Sequence, residues 1–174
     1  MHNDSGAHHD PYGGAHFWDP IEDQLPAFVE VHRTMLLSVL DGLTEDEARR
    51  SLVPSKTTLL GLVKHAAFVE RVWFGEALTG ANRVELGLPE DASDSFDLTP
   101  DDTIASVTAA LSHAVDQSRE AARGLDLDAT MPGNRRGPLP LRWMYLHVLR
   151  ELAQHSGHAD ILREQILAAR TAEA

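Results

Sequence analysis

The chain has 174 residues, of which 43% are hydrophobic and 24% charged, a composition typical of a single globular domain. Its net charge of −12 argues against a nucleic-acid partner, and the lack of cysteine excludes disulfides, thiolate metal ligands and a cysteine nucleophile. No apolar run is long enough to span a bilayer or is typical of a signal peptide, so we expect a cytoplasmic protein with no membrane partner.

The N-terminal segment predicts a flexible lead-in, residues 1–18, ahead of one helical domain, residues 19–174. The lead-in is polar and rich in glycine, and it contains His8, His9 and His16. A productive metal site needs ligands that are held in place. We therefore do not expect these three histidines to bind metal.

Helix signals follow from the start of the domain. A first helix begins around Pro20, because proline is favoured at the first helical position, and it ends before Gly42. Residues 44–47, TEDE, have the form of a capping box and open a short helix. Pro54 prevents that helix from continuing.

The second long helix is predicted over residues 57–78, with Gly80 as its stop signal. Its apolar residues recur at helical spacing and form one stripe: Leu59, Leu62, Val63, Ala66, Val69, Val72 and Trp73. Residues 82–98 are rich in glycine, proline, serine and aspartate. We interpret them as a long surface loop.

Two more long helices complete the prediction. Thr99 and Pro100 are typical of an N-cap followed by a first-turn proline, and the helix that they open ends at Gly124. After a second loop, residues 125–139, the last helix covers about 140–170. No segment alternates with a period of two for long enough to form a sheet. The sequence therefore predicts an all-α four-helix bundle.

Polar side chains lie within the apolar stripe of the last helix. The stripe contains Leu141, Met144 or Tyr145, Val148, Leu152, Ala159 and Leu162. Glu151, His155 and His158 fall on the same face, which predicts that they point toward other helices. Burying an unpaired carboxylate costs several kcal/mol, so each polar group needs a partner.

The second helix offers that partner. His65 lies on its apolar stripe, while Glu151 and His155, four residues apart, can reach one point from a single helix face. Together they would give three ligands with open positions for water or substrate. That is the pattern of catalytic zinc, and nickel, iron or manganese can also occupy such a site.

A structural interpretation competes with the metal site. The Glu151–His155 pair can be only a helix-stabilising contact, and His65 can be only a hydrogen-bonded core residue. His158 can be a fourth ligand, a group behind the ligands or a general base, and we predict a position near the site without metal ligation. The remaining helical histidines are interpreted as structural: His32, His113 and His147.

Two segments carry a family resemblance. Residues 59–74, LLGLVKHAAFVERVWF, resemble the second helix of the DinB-like superfamily. Residues 141–164, LRWMYLHVLRELAQHSGHADILRE, are similar to its closing helix, and the likeness is strongest to a branch of small, mostly actinobacterial proteins. The resemblance implies a four-helix bundle of DinB-like type.

The resemblance also implies a metal site, made of one histidine from the second helix and an H-x-x-x-H pair from the last. Here Glu151 stands where many members have the first histidine of the pair. The branch of mycothiol-dependent maleylpyruvate isomerases also has glutamate there, so the implied ligands are His65, Glu151 and His155. Zinc or nickel is the expected metal, and mycothiol or a similar low-molecular-weight thiol is a possible cofactor.

Two classes of function follow from the resemblance. The first is a metal-dependent, thiol-dependent transferase or isomerase with His158 as its catalytic side chain, and hydrolysis by metal-bound water is the alternative chemistry. The second is a non-catalytic protein that binds a metal or a small ligand.

We also expect a two-fold homodimer, because three large side chains supply more apolar surface than one bundle stripe needs. These side chains are Phe28, Trp73 and Phe74.

Overall fold

A computed structural model of the chain describes residues 16–173, with side chains described up to residue 170. In chain order the elements are α1 (Ile21–Ser38), α2 (Glu45–Ala48), α3 (Leu59–Glu70), a π-helix (Arg71–Glu76), α4 (Ala77–Thr79), a 3-10 helix (Ala92–Phe96), α5 (Ile104–Ala122), β1 (Thr130–Met131), β2 (Leu139–Pro140) and α6 (Leu141–Glu173). The stretch from α3 to α4 is continuous, so it acts as one long helix. Four long helices and one short one confirm the predicted all-α four-helix bundle.

Two predicted helix boundaries are confirmed by their capping geometry. Thr44 and Glu47 form the predicted capping box: the threonine side chain accepts from the Glu47 N–H, and the glutamate accepts from the Thr44 N–H. Gly80 ends α4 in the left-handed conformation, with φ of 76°, which a residue without Cβ adopts at little cost.

The predicted start of the third helix was wrong by four residues. The N-cap of α5 is Thr103, which exchanges hydrogen bonds with Ser106 in a second capping box. Thr99 instead closes a turn, because its N–H donates to the Asp102 carboxylate at 2.6 Å. That carboxylate also accepts from Lys64 on α3 at 2.8 Å, so tertiary contacts hold the turn outside the helix.

The two predicted loops contain short ordered elements. The first includes the 3-10 helix, which packs on α3, and the second includes β1 and β2, an antiparallel pair of two residues each. Gly61 permits the close approach of the 3-10 helix, since a Cβ at this position would lie only 3.0 Å from the Phe96 carbonyl oxygen. This packing brings residues of the loop to the middle of α3.

The bundle core forms where α1 packs on α6, and where α3 packs on both α5 and α6. Trp73 and Phe74 belong to this core, with only 8% and 2% of their surface exposed. Our expectation that they add surplus apolar surface was therefore wrong. Within residues 16–173, no helix is both long and apolar enough to cross a membrane.

A buried ion pair ties α1 to α3. The Arg33 guanidinium donates to both carboxylate oxygens of Glu70, at 2.8 and 2.6 Å, and neither side chain is more than 4% exposed. Arg33 also donates to Glu30, which in turn accepts from Arg119 on α5 at 2.5 and 3.0 Å. Three helices are thus joined by one charged network.

Candidate metal centre

His65 lies in the middle of α3, buried in the bundle. Its Nδ1 is 2.6 Å from the hydroxyl oxygen of Ser95, and that hydroxyl is 2.6 Å from the Ala92 carbonyl oxygen. Because a carbonyl oxygen can only accept, the Ser95 hydroxyl donates its hydrogen bond to Ala92 and accepts one from the His65 Nδ1–H. The lone pair of His65 is therefore on Nε2, the nitrogen that remains for a metal.

Stacking holds the His65 ring in place. It lies 4.0 Å from the Phe96 ring at an interplanar angle of 14°, and it meets the His155 ring edge-on at 4.6 Å. Burial, assisted by the neighbouring His155, lowers the pKa of His65 to about 4, although Glu151 opposes the shift. The imidazole is therefore neutral at physiological pH, as a metal ligand must be.

Glu151 and His155 supply the other two ligand atoms from consecutive turns of α6. The Nε2 of His155 is 3.7 Å from Oε2 of Glu151, and one ligand atom from each of the three predicted residues lies within 4.8 Å of the other two. Burial lowers the pKa of His155, so this ring is neutral as well. The structure thus brings His65, Glu151 and His155 together, and metal binding by them stays a prediction.

The second oxygen of Glu151 faces away from this point and has partners of its own. Arg150 donates to Oε1 at 2.9 Å and to the Nδ1 of His147 at 3.0 Å. Since arginine cannot accept, His147 carries its proton on Nε2, which lies 3.7 Å from the same Oε1. Burial would raise the pKa of Glu151, but the Arg150 hydrogen bond and the two histidines outweigh burial and lower it.

His147 has contacts that the sequence did not indicate, and its predicted structural role stays a prediction. Its side chain is enclosed by two tryptophans, with Trp143 stacked at 9° and 5.2 Å and Trp73 at 4.1 Å. Sequence reasoning also missed Ser95, which lies in a segment interpreted as a surface loop. Periodicity could have indicated His147, four residues before Glu151, but no pattern in the loop marks Ser95.

We predicted that His158 points toward other helices, and this prediction was wrong. His158 is exposed, and its ring centroid lies 6.0 Å from that of His155. It is near the candidate centre and outside the set of converging ligand atoms, and its proposed catalytic role is not tested by this geometry. Within residues 16–173, His65, Glu151 and His155 are the only cluster that could hold a metal.

The other histidines that the structure describes, apart from His147 and His158, are not part of this cluster. His113 lines a large cavity between α3 and α5, and His32 is partly buried on α1. His16 was predicted to lack fixed geometry, but its Nδ1 is 2.7 Å from the Asp19 carboxylate beside the start of α1. His8 and His9 lie outside the described residues.

The donor set suits a divalent transition metal. Two neutral imidazoles and one carboxylate are ligands that zinc accepts in catalytic sites, and nickel also binds imidazole well. Three protein ligands leave coordination positions for a thiol, water or substrate. The residues present thus fit the metal that the resemblance implies.

Fold and site together define a helical bundle of the DinB-like class, with two ligand atoms on the closing helix and one on the helix that begins at Leu59. The chain belongs to the mycothiol-S-transferase family, whose sequence profile matches residues 24–168. The match covers both segments that carried the resemblance and confirms it. No curated protein matches the chain closely enough to count as a relative.

The contacts of Glu151 lead to a prediction for His147. Replacing His147 with phenylalanine keeps a ring between the tryptophans. It removes Nδ1, which accepts from the Arg150 group that also holds Oε1 of Glu151, and the Nε2–H, which lies 3.7 Å from Oε1. We expect metal affinity to fall by about 10–100-fold, the usual effect of losing a residue that contacts a metal ligand and holds it in position. A competition titration with a chromophoric chelator measures the change.

The matched variant His147→Gln keeps an N–H near the position of Nε2 and should lose less affinity than His147→Phe. His113→Ala, at an exposed position on α5, is the control for removing a histidine elsewhere. If His147→Phe binds metal as tightly as the unmodified protein, His147 only packs between the tryptophans.

Proposed function

We propose that this protein is a metal-dependent S-transferase that joins the sulfur of mycothiol, or of a similar low-molecular-weight thiol, to a carbon electrophile. The observation that carries this proposal is the convergence of one ligand atom each from His65, Glu151 and His155 within 4.8 Å of one another. Membership in the mycothiol-S-transferase family supports the choice of thiol. The chain has no cysteine, so a reacting sulfur has to come from outside the protein.

Each residue has a distinct task in this scheme. A bound divalent ion would supply the acidity that converts a thiol into a thiolate at neutral pH. His65, fixed by Ser95, and His155 would hold the ion as neutral donors, while ionised Glu151 would offset part of its charge. We assign His158 the task of accepting the thiol proton, because an exposed imidazole beside the centre can pass protons to water.

Elemental analysis and a thiol-transfer assay on the full, tag-free chain test the proposal together. We expect about one divalent ion per chain, and transfer of mycothiol to a fluorogenic electrophile that a chelator abolishes and added Zn²⁺ or Ni²⁺ restores. His158→Ala should retain the ion but transfer more slowly, by about 10²–10⁴-fold if it is the proton acceptor.

Two other results would contradict the proposal. A chain that holds metal but hydrolyses the electrophile at equal rates with and without thiol would be a hydrolase. A chain that holds metal and catalyses neither reaction would be a binding protein.

A two-fold homodimer is the further part of the proposed function. With Trp73 and Phe74 buried, the apolar surface available for pairing includes Ile21 and Phe28 on α1, which are 56% and 41% exposed. A large contiguous apolar patch is typical of a surface that pairs with another protein, and Ile21 and Phe28, two helical turns apart, would contribute to one face of α1. The dimer stays a prediction.

A further inference from the structure

A small cleft opens beside the candidate metal centre, on the C-terminal side of His155. Its volume is about 240 Å³. One wall comes from the segment between α2 and α3 and the other from α6; the lining residues are Val53, Ser55, Thr57, His158, Ile161, Leu162 and Gln165. The cleft is separate from the cavity of about 890 Å³ between α3 and α5.

His158 connects this cleft to the metal centre. It lines the cleft, and its ring centroid is 6.0 Å from the ring of His155. A molecule in the cleft would therefore sit one side chain away from the ligands. Pockets for drug-sized ligands span roughly 300–1,000 Å³, so a cleft of about 240 Å³ suits a smaller molecule.

The lining of the cleft carries no fixed charge, although 24% of the residues in the chain are charged. Three of its side chains are aliphatic, two bear hydroxyls, Gln165 has an amide, and His158 has an imidazole. A carboxylate placed here would find no cationic partner in the lining and would lose part of its hydration against the aliphatic side chains. A small uncharged molecule would meet apolar contacts and hydrogen-bonding groups instead.

The opposite flank of the centre has the reverse character. Arg150 donates to Glu151, and Arg136 lies over the Trp143 ring, with 5.9 Å from its guanidinium carbon to the ring centroid. An anionic molecule would be attracted to this flank. The two sides of Glu151 and His155 thus differ in charge, and this difference predicts what binds on each.

We propose that the cleft beside His158 binds the electrophilic co-substrate and selects small, uncharged carbon electrophiles over carboxylates, an inference that rests on the proposed function. With a haloacetyl compound, the thiol sulfur attacks the CH₂ carbon. The C–S bond forms as the carbon–halogen bond breaks. Halide leaves with the bonding electron pair, and the thiol proton passes to His158 and from there to the buffer, so no oxidant or reductant is needed.

Iodoacetamide and iodoacetate are the matched probes, because they share one skeleton and differ in charge. The chain has no cysteine that these reagents could alkylate. For each reagent, the rate with mycothiol and metal-loaded protein is divided by the rate without protein. We expect this enhancement to be about two- to fivefold larger for iodoacetamide, since the lining offers a carboxylate no cation while it loses part of its hydration.

Two variants test whether the preference for the uncharged reagent arises in the cleft. Gln165→Arg places a cation in the cleft at an exposed position of α6, and we expect it to shift the ratio toward iodoacetate by about two- to fivefold. Ala109→Arg adds the same charge at an exposed position of α5 outside the cleft and should leave the ratio unchanged.

Equal enhancement of the two reagents, or an equal shift in both variants, would overturn the assignment of the cleft while leaving the transferase intact. A metal-loaded protein that enhances neither reagent would overturn the proposed function, and the cleft assignment with it.

Discussion

Replacing Glu151 with alanine is expected to lower the affinity for the divalent metal by more than about 100-fold, beyond the effect of losing a group behind a ligand. Only two imidazole ligands would remain, and they cannot complete an open three-ligand site. His65→Ala and His155→Ala should have the same effect, since each removes one of the three converging atoms. Elemental analysis of the purified variants, followed by a chelator competition, measures the loss.

Two further variants test whether the loss of metal is specific to the candidate ligands. Glu151→Gln preserves the size of the side chain but removes its negative charge, so its loss should lie between those of the native protein and Glu151→Ala. His158→Ala should retain its metal. A Glu151→Ala variant with full metal content beside a metal-free His158→Ala would identify His158 as the third ligand. If the alanine variants of His65, Glu151 and His155 all keep their metal, the site lies elsewhere in the chain.

Replacing Glu70 with alanine is expected to destabilise the fold by about 3–5 kcal/mol, whether or not metal is bound. Glu70 is fully buried, and it accepts two hydrogen bonds from the Arg33 guanidinium, which is only 4% exposed. The variant would leave this buried cation with Glu30 as its one remaining acidic partner. Urea unfolding of the metal-free proteins measures the change in the free energy of unfolding.

The double variant Arg33→Met, Glu70→Leu removes both charges and replaces them with apolar groups of similar volume. We expect it to recover most of the lost stability, because the cost of Glu70→Ala is that of an unpaired buried charge. Lys56→Ala breaks an ion pair whose partners, Lys56 and Asp97, are each about half exposed, and it should cost less than about 1 kcal/mol. A loss below this size for Glu70→Ala would mean that water reaches Arg33.

The candidate ligands were predictable because they combine two signals that a sequence displays directly. His65, Glu151 and His155 lie at the spacing of an apolar helical stripe, yet they are polar, and a polar group on such a stripe needs a partner. Helical periodicity depends on neighbours three and four residues apart. This periodicity can therefore be recognised without knowledge of the tertiary structure.

Helical periodicity could not predict whether His158 is buried or exposed. This residue lies 80° from the centre of the stripe at Val148, where either burial or exposure is compatible with the pattern. Burial there depends on which chain segment covers that side of α6. The neighbouring segment supplies Val53, Ser55 and Thr57, which leave a cleft open, so His158 is exposed.

By itself, the sequence determined the number and order of the long helices, the capping box at Thr44 and the stop at Gly80, since each depends on local spacing or backbone preference. Spacing also marked His65, Glu151 and His155 as polar residues on apolar stripes, and the family resemblance joined them into one candidate site. Only the tertiary structure decided the contact of Ser95 with His65, 30 residues away, and the burial of Trp73 and Phe74. These features depend on which surfaces meet, and no local pattern encodes the partner of a side chain that is distant in sequence.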